Sequence, residues 1–187
     1  MTQLNSHQHQ QRSDRPHLDR HIVVVGMMAA GKTTFGLALA KRLGTPYLDS
    51  DDAISARYGR SGRELTVSRG VEWLHDLEAD ILRDHLASPT PSVISAAAST
   101  VDLPRCVQML DEQTYVCWID VPVSTIAERS AMGDHRRPME LDELRHRWER
   151  RIPIFESVAD YRIDGTLPLV EQVETTAVAI EQTGRVP

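Results

Sequence analysis

The chain predicts an α/β domain built on a parallel sheet, and three observations carry that prediction. From His21 onward, short β-branched runs alternate with longer amphipathic segments. Strands alternating with helices in this way imply a parallel sheet covered on both faces. The first run, "IVVV", is apolar without interruption, as a strand buried from both sides requires. No internal repeat or long linker divides the 187 residues, a length suited to one compact core.

Taken in order, residues 1–20 ("MTQLNSHQHQQRSDRPHLDR") are polar, rich in Gln and His, and without periodicity. Such a segment buries too little apolar surface to offset its ordering entropy, so a disordered tail is expected there and a single domain over 21–187. The strand candidates are "IVVV", "PYL", "SVIS", "YVCWIDV" and "YRID". Helical patterning covers 32–43, 70–87, 104–111, 123–131, 141–151 and 168–182; Leu74, Leu77, Ile81, Leu82 and Leu86 illustrate the spacing of three and four. "SGRE" at 61–64 has the form of a capping box, and Pro104 suits the first turn of a helix.

The net charge of −6 argues against a nucleic-acid protein, whose phosphate contacts need a basic excess. Cys106 and Cys117 have no metal or redox spacing, and Cys117 inside "YVCWIDV" reads as a buried thiol. No apolar stretch is long enough to span a bilayer and no signal peptide is visible, so a cytoplasmic protein without membrane or nucleic-acid partners is expected, as a monomer or weak homo-oligomer. Trp73, Trp118 and Trp148 read as packing residues.

"GMMAAGKTT", residues 26–34, carries the sharpest chemical signal. Gly26-Met27-Met28-Ala29-Ala30-Gly31-Lys32-Thr33 fits G-x-x-x-x-G-K-[ST] between a buried strand and a helix, the context that gives this motif meaning. The glycines let successive N–H groups converge on a phosphate, and the helix that follows points its positive end at the same anion. Lys32 can reach the outer phosphates of ATP, Thr33 can ligate Mg²⁺, and Thr34 extends the helix start.

Next, "YLDSDDAI" puts carboxylates at the end of the second strand, where ligands of open parallel sheets sit. One could serve Mg²⁺ and another an attacking hydroxyl, while the same "DSDD" string also suits a helix N-cap with acids in its first turn. "SAMGDHRRPMELDEL", 130–144, has Gly, Pro, Met and paired arginines, as a mobile flap over phosphates would need.

These strings, in this order, resemble shikimate kinase. The likeness runs from about His21 to Pro168 and includes "YGRSGREL", "RGVEWLHDLEADIL", "RRPM" and "RRIPIFESVADYRID". It implies a three-layer, nucleoside-monophosphate-kinase-like P-loop fold. Its five parallel strands would be ordered 2-3-1-4-5, with helices on both faces, an acceptor-binding region at about 51–87 and a lid at about 130–142. Carried over by position, the resemblance gives the phosphate loop (Gly26, Met28, Ala29, Ala30, Gly31, Lys32, Thr33, Thr34) to ATP, and Thr33 and Asp49 to magnesium. It gives Asp51 to activation of the acceptor hydroxyl, Arg137 to both phosphate and acceptor, Arg151 to the acceptor and Arg129 to the adenine. Lys32, Asp51 and Arg137 are thus the catalytic candidates.

Two departures fall on the acceptor side. The family's Gly-Gly-Gly turn after the third strand is Ala96-Ala97-Ala98 here, which adds three Cβ atoms and restricts positive φ. Its Phe-Arg pair is Leu74-His75, and a histidine cannot form the arginine fork. With the ATP side intact, this pattern implies a changed acceptor: shikimate or a related small hydroxy compound, expected to be anionic because Arg137 and Arg151 remain. A nucleotide-binding regulator that has lost turnover and a nucleotide kinase of similar fold are the competing readings.

Overall fold

The computed structural model describes residues 18–110, 114–132 and 140–183. Most of the expected tail and the centre of the expected lid, with Arg137 and Pro138, lie outside them.

Strand β1 (His21–Gly26) is buried at every position, and its "IVVV" run is at most 1% exposed. It lies at the middle of a five-stranded sheet ordered β2-β3-β1-β4-β5, with β2 Tyr47–Asp49, β3 Val93–Ser95, β4 Thr114–Asp120 and β5 Tyr161–Asp164. Every pairing is parallel, and Ser95 stands level with both Asp49 of β2 and Val24 of β1. The connection changes sides at β1, so the C-terminal ends of β1, β2 and β3 open on one crevice, the position where open α/β sheets hold ligands.

Helices cover both faces. α1 (Lys32–Leu43) buries Phe35, Leu39 and Leu43, spaced one turn apart, and ends on Gly44 in the left-handed region. α2 (Ser50–Tyr58), α3 (Gly62–Arg69) and α4 (Val71–Leu86) follow β2. They build a small second core from Ile54, Leu65, Leu74, Leu77 and Ile81, edged by Tyr58 and Trp73. The capping box at Ser61 is present in full, with Glu64 and Ser61 each accepting from the other's backbone N–H. α5 (Pro104–Met109) starts on its proline, α6 (Val123–Met132) ends where the described residues break off, and α7 (Leu141–Val158), β5 and α8 (Leu169–Thr183) complete the domain.

Helix α7 differs from the pattern in the sequence. It passes through Pro153 instead of stopping near residue 151. Proline removes one backbone donor and crowds the preceding turn. Pro153 is exposed, so water can serve the carbonyl it leaves unpaired, while Phe155 two residues on is buried against Trp118, rings stacked at 5.9 Å. Packing on that side outweighs the local preference to stop. Trp118 is core, Trp148 donates to the Val121 carbonyl at 3.2 Å, and Trp73 meets Tyr58 edge-on, so all three tryptophans have structural roles. Both cysteines are buried, and burial pushes the Cys117 thiol well above its ordinary pKa. Among the described residues, no helix is long and apolar enough to cross a membrane.

Candidate active site

The turn between β1 and α1 is shaped by its glycines. Gly26 has φ 149°, and a Cβ there would stand 2.9 Å from the Ile119 carbonyl oxygen, so no side chain is accommodated. Gly31 has φ 102° and precedes the helix, bringing no side chain to cap it. The first amides of α1 therefore point into the turn, as an anion site requires. Ala29, also at positive φ (58°), is the only such non-glycine residue among those described, a local strain of the sort found where a loop is shaped for a ligand. Ala30 is buried and its N–H donates to the Met27 carbonyl at 3.2 Å; Met28 is half-buried. Lys32 arches back over the turn and donates to the carbonyls of Gly26 and Met27 at 3.1 and 3.0 Å, which centres its charge on the loop. Thr33 and Thr34 are exposed on the first turn.

Directly beside this loop, the Thr33 hydroxyl donates to Asp49 Oδ2 at 3.0 Å. Asp49 is 7% exposed, ends β2 and caps α2, taking the Asp51 N–H on Oδ1 at 2.8 Å. The cap expected of "DSDD" is present, and the carboxylate that makes it also accepts from Thr33 at the foot of the loop. Tyr47 braces it from below, donating to Asp49 Oδ2 at 2.6 Å with Ser95 Oγ 2.8 Å away. Burial, and then the Asp49 carboxylate, raise the Tyr47 pKa, so the phenol stays a donor. Ser95 in turn donates to the Lys32 carbonyl at 3.2 Å, tying β3 to the start of α1. Asp51 sits exposed in the first turn of α2, one residue beyond Ser50, which anchors that turn by donating to the Ser95 carbonyl at 3.2 Å.

Arg129, from α6, donates to the Ala30 carbonyl at 3.1 Å and the Gly165 carbonyl at 3.2 Å. It therefore walls the loop on the side of the β5–α8 turn.

In the turn after β3, Ala96 is buried while Ala97 and Ala98 are half-buried, and none of the three adopts positive φ. Their turn forms without backbone strain, so the effect of the alanines is the volume of their Cβ atoms. Beyond it the chain makes a short 3₁₀ turn, Thr100–Asp102.

Arg151 comes to this place from α7 and is 3% exposed. Its Nε and Nη2 donate to the two oxygens of Asp102 at 3.0 and 2.5 Å, and its Nη1 lies 3.9 Å from Met27 Sδ in the phosphate loop. Arg150 adds a further bond to Asp102 at 3.2 Å. Burial would raise the Asp102 pKa, but the bond and charge of Arg151, with Arg150, outweigh it and hold the carboxyl below its usual range. His75 stands half-buried near this pair; desolvation lowers its pKa and so favours the neutral ring, with Asp102 opposing that and Arg151 and Arg147 assisting it.

The structure thus brings Lys32, Thr33, Asp49 and Asp51 to one crevice, with Arg129 on one flank and Arg151, His75 and Ala96–Ala98 on the other. Arg137 lies outside the described residues. Sequence reasoning missed Asp102, Tyr47 and Ser95. Asp102 has no motif and lies 49 positions from its partner. Tyr47 and Ser95 could have been found: Tyr47 begins β2 and Ser95 ends β3, and a polar side chain in such an apolar run has to meet another polar group. The expected anionic acceptor drew on Arg137, outside the described residues, and on Arg151, whose fork is held by a carboxylate of the same chain.

Comparison with known proteins agrees with this geometry. Residues 28–180 match the family model for shikimate kinase. A shikimate kinase of Persephonella marina is 31% identical over 147 residues, which cover 77% of this chain and 88% of that protein. Among solved structures, shikimate kinase from Acinetobacter baumannii in complex with shikimate matches with a TM-score of 0.82 at 24% identity, covering 94% of this chain and 99% of that one. Shikimate kinase from Aquifex aeolicus gives a TM-score of 0.78 at 26% identity, covering 88% and 98%. With the phosphate loop, the five-stranded order and these likenesses in agreement, the chain belongs to the shikimate kinase family of ATP-binding P-loop phosphotransferases, whose acceptor is a hydroxyl group.

Proposed function

We propose that this chain transfers the γ-phosphate of ATP, with Mg²⁺, to a hydroxyl of a small polar hydroxy compound, either shikimate or a smaller or differently shaped relative. The observation that carries the reading is the Thr33 hydroxyl held 3.0 Å from the Asp49 carboxylate at the foot of the loop. A hydroxyl and a carboxylate, both hard oxygen donors, suit a magnesium ion shared with nucleotide phosphates. Among the described residues no group of three or more His, Cys, Asp or Glu could hold a metal unaided, which fits an ion completed by phosphate oxygens. Bound there, Mg²⁺ would neutralise charge on the transferring group.

The remaining roles fall to the chain's own groups. The amides at the start of α1 and the Lys32 ammonium hold the phosphates and offset the charge that spreads over them in transfer. Asp51 orients the acceptor hydroxyl and takes its proton as the oxygen attacks in line. Arg137, from the lid, supplies a second positive charge, and Arg129 lies along the base of the nucleotide.

The test is ADP release by the wild-type protein with Mg²⁺ and ATP against shikimate, related cyclic and open-chain polyols, hydroxy acids and nucleoside monophosphates. Release that depends on a hydroxy compound is expected. Response to nucleoside monophosphates alone, or ATP affinity with no acceptor-dependent turnover, would replace this reading with a nucleotide kinase or a nucleotide-binding regulator.

A further inference from the structure

The acceptor side contains a carboxylate that belongs to the protein. Arg151 is buried, and the Nε–Nη2 edge of its guanidinium is engaged by a carboxylate of the same chain. Nε and Nη2 form a two-bond fork on Asp102, and Nη1 faces the Met27 sulfur of the phosphate loop. A guanidinium grips a carboxylate side-on through its Nε–Nη2 edge, and here Asp102 occupies that edge. Asp102 is itself mostly buried, with 14% of its side chain exposed, and Arg150 holds it from a second direction. The half-buried ring at position 75 offers no second fork, and burial favours its uncharged form. An acceptor carboxylate arriving here would meet a negative charge already seated in the arginine.

We propose that Asp102 is a specificity-determining residue that fills the carboxylate subsite from within, so that the acceptor is a neutral polyhydroxy compound without a carboxylate at that position. The inference deepens the proposed kinase reading and rests on it for the word acceptor, but its physical content is a statement about binding. Ala96, Ala97 and Ala98 act in the same direction, since their Cβ atoms take volume from the wall next to the pair. A smaller, uncharged ring or chain, held by hydroxyl hydrogen bonds, fits what the residues leave.

Binding separates this idea from the question of turnover. Calorimetric titration of shikimate and of its methyl ester, with Mg²⁺ and ADP present, compares two ligands that differ in charge at one group. In the wild-type protein the ester is expected to bind at least about tenfold more tightly than the acid, and Asp102→Asn is expected to strengthen acid binding by a similar factor. Wild-type preference for the acid, or shikimate affinity that Asp102→Asn leaves unchanged, would overturn the proposal. Should Asp102→Asn fail to fold, the wild-type comparison decides alone. Absence of ADP release with every acceptor would reject the kinase reading and leave the binding comparison intact.

Discussion

At the scale of single residues, the chemistry is set by which carboxylate meets which cation. Asp49, Asp51 and Asp102 are all acids near one crevice, yet each is held differently. Asp49 accepts from a threonine, a tyrosine and a backbone amide, Asp51 stands exposed in a first turn, and Asp102 is locked into a buried arginine. Removing one partner from a buried pair leaves the other charge without compensation, which is why such pairs respond to acid. The Asp102 pKa is lower in the folded chain than in the unfolded one, so on acidification the unfolded chain takes up the proton first. The stability this group supplies is complete above the ordinary aspartate value of roughly 3.9 and is lost as pH falls through the depressed folded value. Urea midpoints of wild type and Asp102→Asn, measured from neutral pH down to about pH 3, are expected to converge on acidification. A gap between them that stays constant with pH would show that the pair adds no proton-linked stability.

Among the elements, the contact between α1 and the strand ends is the one that positions the site. Gly36 lets α1 lie close over β2 and β3: a Cβ at this position would stand 2.6 Å from Tyr47 Cε2 and 2.8 Å from Ser95 Oγ. Those two side chains are the ones that brace Asp49 and the start of the helix. Gly36→Ala therefore presses on the brace, although alanine is the better helix former by about 1 kcal/mol. Overpacking of this kind costs about 1–3 kcal/mol, so the net expectation is a loss of stability in urea unfolding, with weaker Mg²⁺-dependent ATP binding as Tyr47 moves from Asp49. A variant more stable than wild type would mean that the neighbours yield without strain. Local signals served well for this element. The boundaries 32–43 follow from the apolar spacing and the flanking glycines, and the loop before it from its motif. Helix α7 was less legible, because the burial of Phe155 against Trp118 overrides what Pro153 signals locally.

Across the whole molecule, the alternation of strand and helix made the α/β class legible, and the strand order followed only from resemblance to a family. Periodicity describes each element and contains nothing about which strand lies beside which. The ATP side was legible for a related reason: its loop, lysine and threonine are contiguous, so one stretch of chain holds nearly all of the geometry. The proposed acceptor side draws on α4, the turn after β3 and α7, and the contact that joins Asp102 to Arg151 crosses the fold. No spacing rule reports such a pair. The net effect is a domain whose phosphate loop keeps the family pattern while the proposed acceptor side carries alanines, a histidine and an internal carboxylate.

The central claim is that the amides and lysine at the start of α1 hold ATP for transfer. Acceptor-dependent ADP release by wild type and Lys32→Ala, with circular dichroism to verify folding, tests it most directly. The account predicts a variant that folds and melts like wild type while its kcat falls by at least about a hundredfold. An unchanged kcat in folded Lys32→Ala would contradict it.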